Sequence, residues 1–250
     1  MRTANPALND KAFDQVSTSG EVMTIEGTVN KTFLSLFLLT GAAMYTWNGY
    51  YDTIGPDGIG DPSSVAPYMM LGGIGGFIVA LITIFKKTWS PITTPIYAVL
   101  EGLLIGGLSA FVESMYPGIV LQAVALTFGT LFSLLFAYKS GLIKVTENFK
   151  MGLFAATGAV MLIYLASFIM GFFGSSIGFI HDNGLMGIGF SVVVVVIAAL
   201  NLVLDFDFIE TGAARGAPKY MEWYATFGLL VTLVWLYIEI LRLLSKLRSR

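Results

Sequence analysis

Long apolar runs separated by short polar breaks set the rhythm of this chain. Seven runs of near-uniform length occur, at 31–50, 67–86, 94–114, 118–138, 151–173, 186–207 and 221–245. Each is long enough to cross a hydrocarbon layer of about 30 Å as a helix. The breaks carry turn chemistry: GPDGIGDPSS at 55–64, WSPITTP at 89–95 and YPG at 116–118. Hydrocarbon offers no water to free backbone groups, so spans must satisfy their own hydrogen bonds. The pattern therefore predicts an all-α integral membrane protein, a seven-transmembrane helix bundle. The first thirty residues are polar and mixed in charge, without an apolar signal-like stretch. They read as a cytosolic tail (1–30) with a short interfacial helix around Ala12–Val16, leaving 31–250 as the transmembrane domain.

Composition sharpens this picture. The chain is 56% hydrophobic and 12% charged, with a mean hydropathy of +0.77, whereas soluble domains carry about 25% charged residues. The net charge of -2 argues against a nucleic-acid partner. The absence of cysteine excludes disulfides, thiolate metal sites and Cys nucleophiles.

Basic residues give the sidedness. Arg2, Lys11, Lys31, Lys86, Lys87, Lys139, Lys144, Lys150, Arg215 and Lys219 fall before the first run or in every second connection. The connections 51–66, 115–117 and 174–185 hold no Lys or Arg. This asymmetry predicts a cytosolic N-terminus. Arg242, Lys246, Arg248 and Arg250 do not fit it, because seven crossings put them outside. Either the last span tolerates a basic outer end, or 221–245 re-enters and returns.

Ionisable groups at membrane depth are costly and commonly functional. Asp205 and Asp207 close the sixth run, Glu210 follows, and Glu222 opens the seventh. Positions 205 and 207 differ by about 200° around a helix, so one aspartate is expected inside and the other toward the headgroups. Asn201 lies one turn before Asp205 and is placed to donate a hydrogen bond to it. Two nearby carboxylates can share a proton, or bind a hard cation such as calcium when they separate. The alternative is that all four acids sit in solvated headgroups. Glu101 either reaches back to the interface or lines a polar path. Glu239 stands three residues before Arg242, the spacing of a local ion pair.

Other features read as structural. Gly72/Gly76 and Gly102/Gly106 form GxxxG pairs, which allow close helix packing within the chain or between copies. Trp47, Tyr50, Tyr51, Trp89, Tyr220, Trp223 and Tyr224 sit at run ends and read as interfacial anchors. His181 is the only histidine, so a zinc site is not expected. No residue is placed to activate a serine of GFFGSSIG. No enzyme and no cofactor are expected.

Four stretches resemble the Bax inhibitor family in its bacterial YccA/YetJ branch. They are NPALNDKAF with MTIEGTVNKTFLSLFLLTGAA, then PIYAVLEGLLIGGLSAFVESMYPGIVLQAVALTFGTLFSLLFAY, then ALNLVLDFDFIETGAARGAPKYMEWYATFGLLVTLVWLYIEILRLLSK. The resemblance implies six helices around a central seventh, a bacterial inner membrane, and a pH-sensitive calcium leak. It further implies that an aspartate ending span six pairs with one in span seven. The first falls on Asp205, or on Asp207 if the register slips by two, and the second falls near Thr232. Threonine cannot share a proton as a carboxylate does, and neither Glu222 nor Glu239 is at the matching place. Glu101 matches a family acidic position in its EGL setting. YccA-like relatives also imply a different role, as a regulator that binds a membrane-bound ATP-dependent protease through the tail.

Overall fold

The computed structural model describes residues 20–55, 60–174, 178 and 183–249. The helix expected at Ala12–Val16, His181, and the serines at 175 and 176 lie outside the described residues. Among those described there are seven long helices and no β-strand: α1 (Ile25–Tyr51), α2 (Ala66–Phe85), α3 (Ser90–Met115), α4 (Ile119–Lys139), α5 (Glu147–Phe172), α6 (Leu185–Ala214) and α7 (Met221–Arg248). Short 3-10 turns at Pro62–Ser64 and Lys87–Trp89 precede α2 and α3.

All but α1 are long and apolar enough to span a bilayer. α1 begins at Ile25, where the Thr24 hydroxyl accepts from the Gly27 amide at 3.0 Å and Glu26 lies in the positive first turn. Thr28, Asn30, Lys31, Thr32, Ser35 and Thr46 make it the most polar of the seven helices by sequence.

One expectation about a helix end is corrected. Asp205 and Asp207 do not end α6, which continues to Ala214. The chain turns only at Gly216, whose φ of 64° suits glycine in the left-handed region. The segment 221–245 lies in one unbroken helix, α7, of 28 residues, about 42 Å at 1.5 Å per residue, long and apolar enough to span a bilayer. It is also the most buried of the six apolar helices, with 67% of its apolar window inside.

The helices fall into two compact units. One comprises Leu121–Phe208 and Val231–Arg250; the other comprises Gln15–Val120 and Ile209–Leu230. In the second, α3 packs on both α1 and α2. A β-carbon on Gly72 would strike the Leu100 carbonyl and Leu104. One on Gly102 would strike the Leu39 carbonyl and Ala42, and one on Gly106 would strike Ala43 and Thr46. Both GxxxG pairs are thus spent on contacts within the chain. In the first unit, Leu153 of α5 and Leu204 of α6 form a buried cluster with Phe149, Ile197 and Leu200 around them.

Two of the expected interfacial aromatics are core residues instead. Tyr50 and Tyr224 are fully buried. Tyr50 shares a 2.9 Å hydrogen bond with Ser114, and this polar partner lets its hydroxyl leave water. Trp89 stays exposed, with the Lys86 ammonium 5.3 Å from its ring.

Candidate functional site

α6 and α7 carry the acids, and burial sorts them. Asp205 is 1% exposed, and neither carboxylate oxygen has a hydrogen-bond partner among the described residues. The side chain beside it is Thr232, itself 2% exposed. α6 is helical through this point because its run of Val, Ala and Leu satisfies its own backbone, so only the side chain at 205 is left without a donor.

The expected bond from Asn201 to Asp205 is not made. The Asn201 amide donates to the Ile197 carbonyl at 2.8 Å and to the Thr157 hydroxyl of α5 at 3.0 Å. Spacing on a helix fixes a face but not a rotamer, and the amide finds two acceptors nearer its own turn.

Asp207 is held differently. It accepts from the ammonium of Lys150 at 2.9 Å, and Lys150 also lies 3.6 Å from Glu147 one turn earlier in α5. Lys150 is 2% exposed, so a residue that reads in the sequence as loop charge is an internal cation. Its signal in the sequence is its place directly ahead of the apolar run MGLFAATGAV. Asp207 therefore sits in an ion pair, not simply among headgroups.

In the same unit the Glu239–Arg242 pair forms at 3.0 Å. It is enlarged by Tyr164, whose hydroxyl donates to Glu239 at 2.9 Å and accepts from Arg242 at 2.6 Å. Lys246, 5% exposed, donates to the Gly187 carbonyl and the Ser191 hydroxyl, each at 3.0 Å. Two of the four C-terminal cations that strain the sidedness rule are thus folded onto protein partners.

The remaining acids belong to the second unit. Glu101 of α3 is partly buried, with its carboxylate over Gly76 of α2, where a β-carbon would lie 3.0 Å from Oε2. Glu222 is fully buried at the start of α7. It accepts from the backbone amide and the hydroxyl of Thr24, both at 2.9 Å, and pairs with Lys31 and, at 3.2 Å, Lys219. Gly27 leaves the space it occupies. Around it the Met23 amide donates to the Ala217 carbonyl at 2.7 Å and the Lys219 amide donates to the Glu21 carbonyl at 3.0 Å. The partners of Glu222 are cations and donors, so it is no substitute for a second acid beside Asp205. Among the described residues, no three His, Cys, Asp or Glu side chains converge as a metal cage would require.

Six helices long and apolar enough to cross a bilayer define a multi-pass integral membrane protein. The family described as Bax inhibitor 1 like matches residues 5–249, and the chain belongs to that family. No curated protein and no solved structure matches it.

Proposed function

We propose that the protein is a pH-sensitive cation leak whose control point is Asp205. The observation that carries this reading is a fully buried carboxyl that makes no ion pair among the described residues and has the Thr232 hydroxyl beside it. An ionised carboxylate in such a place is uncompensated, so its proton occupancy and the local packing must change together. With Thr232 opposite, the gate is not a shared-proton carboxyl pair. It is a single acid beside the Thr232 hydroxyl. The Lys150–Asp207 pair fixes α6 two residues further on. Calcium is the proposed ion, since carboxyl and hydroxyl oxygens are the ligands a hard cation takes. Among the described residues no three acids converge as a metal cage would require, and Asp207 is engaged by Lys150, so the ion would be in transit. Glu101 is proposed as a second acid facing a polar path. The orientation proposed is a cytosolic N-terminus in a bacterial inner membrane, supported by the Lys and Arg asymmetry. The protein catalyses no reaction in this reading.

The test is calcium flux in proteoliposomes across a pH series. Wild type is expected to show flux that changes with pH, and Asp205→Asn to remove that response. Equal flux in wild type, variant and empty vesicles would sink the reading.

A second role, restraint of a membrane-bound protease, is favoured by the threonine at 232, where a paired gate needs a carboxylate. Residues 21–24 are fastened to 217–222, so the deletion that tests this role stops short of them. Deleting 2–19 is expected to abolish a pull-down with the protease and leave thermal stability unchanged. Retained association would exclude this role for the tail.

A further inference from the structure

We infer that the cleft between α4 and α6 seats one acyl chain of a bilayer lipid. A groove of about 420 Å³ runs there, with Ala125, Gly129, Thr130 and Ser133 on one wall and Val196 and Leu200 on the other. Leu126 and Val196 at its rim are 49% and 51% exposed, so it opens sideways toward the surrounding membrane. Residues 125, 129 and 133 recur every fourth position and share one face of α4. All three are small, and the glycine sets the depth of the groove. A β-carbon on Gly129 would meet nothing within 4 Å, whereas those on Gly72, Gly102 and Gly106 would strike a neighbouring helix. The other glycines are packed by protein, and Gly129 faces the groove. Association inside a membrane rests on dispersion contact, which a hydrocarbon guest in such a groove supplies along its length.

Depth fixes the chemistry of the guest. Gly129 is the middle residue of α4, which runs from Ile119 to Lys139, and so lies about 15 Å from either end. That is the centre of a hydrocarbon layer of about 30 Å, where lipid chains are the solvent. Every lining residue is uncharged. The hydroxyls of Thr130 and Ser133 can return to carbonyls one turn back on α4, so they call for no polar ligand. Width selects a chain over a helix. The groove follows α4 from Ala125 to Ser133, about 12 Å, which gives it a mean cross-section of about 35 Å² and a width of roughly 6–7 Å. A helix with its side chains is about 10–12 Å across. A methylene chain is about 4 Å across, the contact distance of its carbons. A second copy therefore cannot lay a helix into the groove, and one acyl chain can lie in it. The guest also bears on α6, because Leu200 lines the groove and packs on the Leu153–Leu204 cluster. This inference stands apart from the leak reading, and its test does not measure flux.

The test is photolabelling of the full-length protein in vesicles of phosphatidylcholine that carries a diazirine midway along one acyl chain. Mass spectrometry then places the adducts. The reference is 161–165 near the middle of α5, where Met161, Leu162 and Leu165 are exposed. Residues 125–134 and 196–200 should take up label about tenfold more densely than this reference, the preference of a seated chain over an exchanging one. Ordinary annular lipid labels all three stretches alike, and that result overturns the inference without any variant having to fold. Gly129→Leu fills the groove from α4 and Val196→Phe fills it from α6. Each should bring the labelling down to the α5 level with Tm unchanged. Gly152→Leu, at an exposed α5 glycine whose β-carbon would also meet nothing within 4 Å, should leave the groove labelled as in wild type. Enrichment that survives both filling variants overturns the seat, and so does groove labelling replaced by cross-links between two copies of the chain.

Discussion

Asp205 and Glu222 are both fully buried carboxyls in helices of a membrane protein, yet their surroundings are opposite. Glu222 accepts from an amide and a hydroxyl of Thr24 and faces two ammonium groups. It also lies in the first turn of α7, where the helix dipole favours negative charge. Asp205 lies inside α6, with the Thr232 hydroxyl beside it and no cation paired to it among the described residues. A buried charge with every lone pair served holds elements together, here the N-terminal segment, α1 and α7. A buried acid without such partners ties no elements together, and in the proposed function it is the proton on it that matters. Burial alone does not separate a structural acid from a chemical one; the partner list does.

The comparison breaks most readily at Glu222. Glu222→Ala strips the partners from Lys31 and Lys219 and from the cap of α1, and removal of one member of a buried pair costs about 3–5 kcal/mol. Both lysines reach solvent in part, so the loss should fall at the lower end, read as a drop in Tm in detergent. An unchanged Tm would show that the joint between 20–24 and 217–222 is not structural. Gly102→Leu, on the α1–α3 contact, should cost about 1–3 kcal/mol by overpacking without altering the pH response of flux. Asp205→Asn should be close to neutral for stability, within about 1 kcal/mol, because it removes no bond that the native fold makes. A large Tm loss there would place Asp205 among the structural acids.

The smallest effect concerns Asp61, in the connection before α2. The Ser63 hydroxyl and amide, at 2.7 and 2.8 Å, hold its carboxyl below the usual carboxylate range. A depressed acid stabilises the fold above its unfolded value, and the contribution is lost as pH falls through the folded one. Asp61→Asn should therefore weaken stability slightly at neutral pH and not at all in strong acid. A difference that persists in strong acid would contradict the Ser63 contact as its source.

How much of this the residues disclose by themselves depends on the kind of signal. Apolar length located the helices, because a span must be long and must satisfy its own backbone. Helix ends were less legible: Asp205 and Asp207 look like an exit from the membrane, yet the helix runs on through FIETGAA to Ala214 despite Thr211 and Gly212, and the chain turns only at Gly216. Glu239 and Arg242 were readable as a pair from their spacing, whereas the third member, Tyr164, comes from another helix. Lys150 and Lys31 count in the sequence only as markers of sidedness. Their burial against Asp207 and Glu222 depends on which helices are neighbours, and a linear pattern does not carry that. The same holds for Tyr50 and Tyr224, whose position at run ends resembles an interface until packing encloses them.

The most direct measurement sets Asp205→Asn beside Glu222→Gln in one experiment, with calcium flux across a pH series in proteoliposomes and Tm in detergent for each. A structural acid and a chemical acid predict crossed results. Asp205→Asn should keep its Tm and lose the pH response, while Glu222→Gln should lose Tm and keep the response in whatever fraction stays folded. Full pH-dependent flux from Asp205→Asn would contradict the account.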